Sequence, residues 1–263
     1  AVTTPAVYIA WLEPSHRARG FTATHPALDA RLKRLFATSP PIPPKSIYHA
    51  TADEPEPPLH NTILMIPGVF SSAECSLLID ETDKLLCENY RKDTYGDESV
   101  SPSTRRVSVC DMSTKARNLS HAVLKERVLP ALEHQHPELL RRLLLANWRD
   151  FGFDWASDEP TVNKYIVGGE FEPHEDGYLL TVIILLSPED SFEGGGTSFF
   201  STSDAENADK VVVRPPRGMA VCFNGDVTHG GSPVTSGTRY LYVASFDLSS
   251  SKEEGPGMNG NPR

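Results

Sequence analysis

The chain has 263 residues, of which 39% are apolar and 23% charged, so it can form one large folded domain or two small ones. The formal net charge of −10 is not offset by any basic run, and nucleic-acid binding is therefore not expected. No apolar stretch reaches about 18 residues, so no transmembrane helix is predicted. The four cysteines form no CxxC motif; we expect free thiols, which favour a soluble protein of a reducing, cytoplasmic compartment.

The first third of the chain combines proline-rich segments with helical patterns. Residues 1–60 are predicted to be an irregular arm, with one short helix from Pro26 to Phe36 and extended backbone around residues 40–44. An apolar strand at 63–66 is followed by Ser71 and Glu74, which fit a capping box and predict an amphipathic helix over residues 71–90.

The middle of the chain is predicted to add helices to a strand. Alternation predicts a strand at 107–110, and helical periodicity predicts helices at 118–133, with a kink at Pro130, and at 137–147. Cys75 and Cys87 would lie about 18 Å apart on the helix over 71–90, which is too far for a disulfide.

From residue 161 onward, short β-rich runs alternate with turn residues. The predicted strands are residues 162–167, 179–186, 197–200, 210–213, 219–223 and 239–246. Strands at this spacing predict an antiparallel sandwich or barrel. The tail 249–263 is rich in glycine and proline and is predicted to be disordered.

The strongest chemical signal is the triplet His174-Glu175-Asp176. On extended backbone, residues i and i+2 point to the same side, so His174 and Asp176 can bind one ion while Glu175 points away. His229 is the remaining histidine in the β-rich part and supplies a third ligand. Two histidines and one carboxylate form a facial triad that leaves three positions open on octahedral Fe(II).

A dicarboxylate co-substrate would require a buried cationic anchor near this triad. Arg239 follows His229 by ten residues, and a strand that ends near His229, turns at 230–237 and returns would bring Arg239 to the same interior. Tyr165, on the strand before His174, could reach the same carboxylate. The alternative anchors are Lys164 and Arg217.

Three segments together resemble the prolyl 4-hydroxylase type of Fe(II)- and 2-oxoglutarate-dependent oxygenases. Residues 163–176 (NKYIVGGEFEPHED) resemble the iron-binding strand, and residues 192–200 (FEGGGTSFF) resemble the Gly-Gly-x-Thr-x-Phe strand entry. Residues 229–240 (HGGSPVTSGTRY) resemble the distal half of the site and look closer to the lysyl hydroxylase branch. Prolyl 4-hydroxylases often carry lysine at the position of Arg239.

This resemblance implies a mainly β fold with flanking α-helices, in which the core is a double-stranded β-helix, or jelly roll. The implied domain is residues 61–248, with helical support at 71–147 and the jelly-roll core at 161–248. His174, Asp176 and His229 are the implied metal ligands and catalytic centre. The implied 2-oxoglutarate residues are Arg239, assisted by Tyr165 and Thr181. O2 is the co-substrate, and ascorbate is a candidate reductant.

The implied reaction is hydroxylation of an unactivated C–H bond, with release of succinate and CO2. A prolyl or lysyl residue in a peptide or protein is the expected substrate, and a free amino acid or other small metabolite is the alternative. Residues 91–103 and the proline-rich arm are the expected substrate-determining segments. Two other classes stay open: a non-catalytic jelly-roll metal-binding module and a cupin-like zinc or manganese hydrolase.

Overall fold

The computed structural model describes residues 8–11, 47–48, 62–88, 102–135, 137, 140–141, 148–201, 205–206 and 210–249. The strands are β1 (Tyr8–Trp11), β2 (Ile47–Tyr48), β3 (Thr62–Ile66), β4 (Thr104–Ser108), β5 (Gly152–Trp155), β6 (Thr161–Tyr165), β7 (Phe171–His174), β8 (Leu180–Leu185), β9 (Phe192–Gly194), β10 (Thr197–Phe200), β11 (Lys210–Val213), β12 (Ala220–Phe223), β13 (His229–Gly231), β14 (Val234–Gly237) and β15 (Arg239–Ser249). The helices are α1 (Ser72–Cys87), α2 (Thr114–Ala122) and α3 (Leu129–Gln135), with a π-helical segment at Val123–Val128 and 3-10 turns at Val109–Asp111 and Trp148–Asp150.

Two antiparallel sheets form the core of a double-stranded β-helix. The major sheet has the order β2-β1-β3-β12-β8-β15-β6-β4, and β5 pairs with the far end of β15. The minor sheet has the order β11-β10-β13-β7, and β14 pairs separately with β9. The mainly β fold with flanking helices, expected from the sequence resemblance, is therefore confirmed.

Alternation along the major-sheet strands gives the sheet two buried faces. Ile63 and Met65 of β3 pack inside the jelly roll with Phe199 and Val213 of the minor sheet. The intervening Leu64 packs on the opposite face, in the cluster that includes the helices. Because successive side chains on a strand point to opposite faces, a nearly continuous apolar strand can serve both cores.

The helices cover the outer face of the major sheet, and their starts and bends follow the sequence. Ser71 caps α1, and Glu74 completes the predicted capping box. The π-helical segment ends two residues before Pro130, which cannot donate a backbone hydrogen bond and so disfavours a regular α-helix at this point. Arg127, on the π-helical segment, forms a bidentate pair with Glu74 at 2.7 and 2.9 Å and lowers the pKa of Glu74 to about 2.

Several sequence predictions hold within one or two residues, and others need correction. Strands expected at 197–200 and 210–213 are observed at those residues, but β5, β9, β13 and β14 were not predicted. The strand expected at 107–110 instead ends at Ser108 and gives way to a 3-10 turn. The arm expected to be irregular contains β1 and β2, and β1 pairs with β3.

Other sequence predictions fall largely outside the described residues. They are the helix from Pro26 to Phe36, most of the helix at 137–147, most of the segment 91–103, and the tail beyond residue 249. The domain boundaries at residues 60 and 249 stay predictions. Among the described residues, no helix has the length and apolar character needed to cross a membrane. Cys75, Cys87, Cys110 and Cys222 are free thiols.

Candidate active site

Strand pairing places the two site histidines directly opposite each other. His174 is the last residue of β7 and pairs with His229, the first residue of β13. Asp176 follows β7 and is held by its backbone N–H, which donates to the Gly225 carbonyl at 2.8 Å. The ligating atoms of His174, Asp176 and His229 all lie within 4.8 Å of one another.

The spacing of these atoms suits one metal ion. Nε2 of His174 lies 3.3 Å from Oδ1 of Asp176, and Nε2 of His229 lies 3.7 Å from Oδ2. Two adjacent ligands at about 2.1 Å from an ion, at right angles, are separated by roughly 3 Å. The triad therefore needs only small side-chain adjustments to bind Fe(II), and three ligands leave the remaining octahedral positions open.

Backbone contacts fix the imidazole tautomers in the form that a metal requires. Nδ1 of His174 lies 2.8 Å from the Glu172 carbonyl, and Nδ1 of His229 lies 3.0 Å from the Val227 carbonyl. A carbonyl only accepts hydrogen bonds, so each Nδ1 carries the proton and each Nε2 presents a lone pair. Burial lowers the pKa of His229 to about 4, which keeps its ring neutral.

Asp176 is the carboxylate of this group of three residues. Burial acts to raise its pKa, but the neighbouring His174 and His229 imidazoles and the hydrogen bond from Thr181 outweigh burial and lower it. The Thr181 hydroxyl donates to Oδ2 at 2.5 Å. This hydroxyl has one proton, so the Ser245 hydroxyl, 3.2 Å away, must be the donor in the second contact.

A cavity of about 370 Å³ opens beside the triad, a volume within the usual range of ligand sites. Arg239, only 1% exposed, lies in its wall at the start of β15. The guanidinium donates to the Thr197 hydroxyl at 3.3 Å and lies 5.3 Å from the centre of the Tyr165 ring. Burial lowers the pKa of Arg239, and within the described residues no carboxylate forms an ion pair with it.

A buried cation without an anionic partner is costly, and a dicarboxylate ligand would relieve that cost. The buried guanidinium of Arg239 therefore fits 2-oxoglutarate, and the triad fits iron. Gly195, with a φ of +60°, packs against this arginine: a Cβ at that position would lie 3.1 Å from Cδ of Arg239. The triple glycine thus permits both the predicted turn and the close approach of Arg239.

The route by which Arg239 reaches the cavity differs from the expected one. The sequence suggested a simple return from His229 to Arg239, but β13 belongs to the minor sheet and β15 to the major sheet. The intervening β14 pairs with β9 instead. Arg239 and His229 therefore approach the cavity from opposite walls.

The other residues that the sequence suggested for 2-oxoglutarate binding do not all lie in the cavity wall. Thr181 contacts Asp176 and is absent from the cavity lining, which favours a role in holding that carboxylate; its proposed role with 2-oxoglutarate stays a prediction. Tyr165 lines the cavity, and its role with 2-oxoglutarate likewise stays a prediction. The alternative anchors lie elsewhere: Lys164 pairs with Asp83 at 2.7 Å, and Arg217 donates to the Leu186 carbonyl at 2.7 Å.

Sequence reasoning missed several residues of the cavity wall. They are Arg106, Glu159, Asn163, Tyr178, Thr197 and Ser245. Period-two alternation from Arg239 could have identified Ser245, because alternate residues of β15 face one side. No sequence pattern identifies Glu159, because its position in the cavity wall depends on the turn that precedes β6.

Comparison with known proteins supports the chemistry that the geometry suggests. Residues 160–246 match the family model of the 2OG-Fe(II) oxygenase superfamily. No curated protein matches the sequence. Among solved structures, the non-haem α-ketoglutarate-dependent carbocyclase SnoK from nogalamycin biosynthesis aligns with a TM-score of 0.50 and 13% identity, over 71% of this chain and 80% of that one.

Two prolyl hydroxylases align less closely. The Pseudomonas putida prolyl-4-hydroxylase gives a TM-score of 0.49 with 14% identity, over 70% of this chain and 91% of its own. The viral collagen prolyl hydroxylase from Paramecium Bursaria Chlorella virus-1 gives 0.47 with 17% identity, over 71% and 96%. Residues 160–246 thus form a domain of the 2OG-Fe(II) oxygenase superfamily, and the protein is a 2-oxoglutarate-dependent dioxygenase.

Proposed function

We propose that His174, Asp176 and His229 bind the catalytic Fe(II), that Arg239 binds the distal carboxylate of 2-oxoglutarate, and that the enzyme hydroxylates a prolyl or lysyl residue in a peptide or protein. One observation carries the site assignment: three ligating atoms within 4.8 Å share a cavity with a buried arginine that has no acidic partner among the described residues. The motif resemblance of residues 163–176 and 229–240 supports the substrate class.

The protein's contribution is to hold ions and ligands in place. Neutral imidazoles and the Asp176 carboxylate bind the cation, and the aspartate offsets part of its charge. Arg239 orients the dicarboxylate through charge-assisted hydrogen bonds, with Thr197 and Tyr165 beside it. When bound, Fe(II) supplies the redox chemistry by which O2 and 2-oxoglutarate convert a substrate C–H bond to C–OH, with formation of succinate and CO2.

Apolar side chains make up part of the cavity wall. Ile183, Leu241 and Val243 form part of the cavity wall between the polar groups. Because Arg239 is buried, its electrostatic attraction for a carboxylate is stronger than it would be in bulk water.

Succinate formation tests the metal assignment. Asp176→Asn and His174→Ala should each reduce Fe(II)-dependent succinate formation from 2-oxoglutarate to background. Asp226→Asn is the matched control, because it makes the same chemical change at an exposed residue. Near-normal turnover in both site variants would refute the assignment.

A free amino acid or other small metabolite is the second candidate substrate. The cavity volume accommodates a small molecule as well as one side chain of a peptide. Mass spectrometry of reactions with proline- and lysine-containing peptides and with the free amino acids separates these cases, because only the true substrate gains one oxygen atom.

A further inference from the structure

Three polar side chains form a hydrogen-bonded row along one side of β6. Residues 161, 163 and 165 alternate along this strand, so their side chains lie on the same face. The Thr161 hydroxyl donates to Oδ1 of Asn163 at 3.1 Å, and Nδ2 of Asn163 donates to Oη of Tyr165 at 3.3 Å. All three residues are buried, and Asn163 and Tyr165 line the cavity beside the triad.

The direction of the second contact determines where the phenol proton of Tyr165 can go. An amide nitrogen only donates hydrogen bonds, so Oη of Tyr165 is the acceptor and its own proton is not used in this row. In the part of the chain that the structure describes, Oη makes no other hydrogen bond. Tyr165 is only 3% exposed, and a buried donor without an acceptor is unfavourable. The phenol proton is therefore available to a ligand in the cavity.

The neighbours of Asn163 on the adjacent strands do not compete for its amide nitrogen. Asn163 pairs with Leu241 on β15 and with Arg106 on β4. The leucine side chain is apolar and the guanidinium has no acceptor atom, so neither can take a hydrogen bond from Nδ2. With Oδ1 bound by the Thr161 hydroxyl, Nδ2 is left to face Tyr165.

The surroundings of Tyr165 favour a carboxylate as the acceptor of its proton. Tyr165 pairs directly with Arg239 between β6 and β15, and the guanidinium lies 5.3 Å from the centre of the phenol ring. An ionised carboxylate only accepts hydrogen bonds, and its two oxygens can accept from a guanidinium and a hydroxyl together. A hydrogen bond to the carboxylate leaves Oη free to accept from the amide.

We infer that Asn163 is a positioning residue for 2-oxoglutarate: its amide, held by Thr161, donates to Oη of Tyr165 and so directs the phenol proton to the carboxylate that Arg239 binds. This inference rests on the proposed function and adds to it a residue that acts on the co-substrate through Tyr165. The removal of Asn163 should therefore affect 2-oxoglutarate binding only while the Tyr165 hydroxyl is present.

A double-mutant cycle between Asn163 and Tyr165 tests this dependence. Asn163→Asp keeps the shape but replaces the donor by an acceptor, so the phenol proton turns toward the new carboxylate and away from the co-substrate. Tyr165→Phe removes the hydroxyl itself. The Kd of 2-oxoglutarate is measured by calorimetry with Fe(II)-loaded enzyme in the absence of O2. Direct repulsion between the new charge and 2-oxoglutarate is present with and without the hydroxyl, so the cycle cancels it.

Each single change should raise the Kd at least about tenfold, the effect of losing one hydrogen bond to a carboxylate. The effect of Asn163→Asp should be about tenfold smaller in the Tyr165→Phe background, because the same proton would otherwise be lost twice. Asn163→Leu, which adds no charge, should raise the Kd by a smaller factor, about threefold, and should have no effect in Tyr165→Phe. The affinity for Fe(II) and kcat at saturating 2-oxoglutarate should stay near the wild-type values in the uncharged variants.

Tyr242→Phe is the matched control, because it removes a buried phenol hydroxyl that contacts Ser120 outside the cavity wall, and it should leave the Kd unchanged. The inference is overturned if Tyr165→Phe binds 2-oxoglutarate normally, or if the effects of both Asn163 changes persist in the Tyr165→Phe background to within about twofold. The proposed function fails separately, and this inference with it, if the wild type does not bind 2-oxoglutarate or if Arg239→Met binds it equally well.

Discussion

Replacing Arg239 with methionine should separate co-substrate binding from folding stability. Arg239 is among the largest fully buried side chains, and truncating a buried side chain normally costs about 2–5 kcal/mol. Methionine, however, fills a similar volume and removes a buried charge that has no acidic partner among the described residues. Replacing buried charge with apolar groups is often neutral or stabilising by roughly 1–4 kcal/mol. We therefore expect the metal-free variant to be at least as stable as the wild type.

The same change should greatly weaken 2-oxoglutarate binding. A carboxylate bound in a bidentate manner to Arg239 would lose two charge-assisted hydrogen bonds, each worth about 1.5–3 kcal/mol. The sum corresponds to an increase in the KM for 2-oxoglutarate of roughly a hundredfold to ten-thousandfold. Arg217→Met is the matched control, since Arg217 contacts the Leu186 carbonyl and Ser76 rather than the cavity, and its KM should be unchanged.

Thermal unfolding with and without ligand measures both effects. A ligand at one hundred times its Kd stabilises the folded state by about 2.7 kcal/mol. For a chain of this size, that corresponds to a rise in Tm of roughly 5–10 °C in the wild type and in Arg217→Met, and to none in Arg239→Met at the same concentration. The reasoning is refuted if the KM of Arg239→Met stays within about threefold of the wild type, or if both variants lose the ligand-induced shift.

Two further predictions concern the residues around Asp176. Thr181→Val removes the hydroxyl that donates to Asp176, so Fe(II) affinity measured by titration should fall about 10–100-fold; an effect confined to the KM for 2-oxoglutarate would instead support the co-substrate role. Burial, and then the charge of Asp176, raise the pKa of Glu159 to about 7 from an ordinary 4.5. The folded state therefore binds this proton more tightly than the unfolded state does. The resulting contribution to the free energy of unfolding, about 3 kcal/mol, is complete below pH 4.5 and is lost as the pH rises through 7. Denaturant unfolding of metal-free Glu159→Gln should lack this decrease; an identical pH profile would contradict the shift.

The sequence predicted which chemical groups the site contains better than it predicted the strand pairing that brings them together. The i and i+2 relation of His174 and Asp176 follows from strand geometry alone, so their convergence could be anticipated. The pairing of His229 with His174 depends on the long-range register between β7 and β13, which no local pattern encodes. Periodicity located the long strands, but three-residue strands such as β9 and β13 carry too few residues to show alternation.

Other features depend on tertiary context that a single sequence does not disclose. Arg239 was expected to share a hairpin with His229, yet the two lie in different sheets because β14 pairs with β9 between them. Glu159 reaches the cavity through a left-handed residue at Asp158, a backbone state that glycine would have signalled but aspartate does not. Thr181 was predicted to assist 2-oxoglutarate binding, and its hydroxyl contacts Asp176 rather than Arg239.

Anaerobic titration of the metal-free enzyme with Fe(II) and then 2-oxoglutarate, followed by visible absorption, tests most directly whether the triad and Arg239 form one site. The wild type should develop a weak charge-transfer band that saturates with one equivalent of metal. Asp176→Asn should show no band, and Arg239→Met should show it only at far higher 2-oxoglutarate. A band of wild-type intensity in Asp176→Asn, or none in the wild type, would contradict the account.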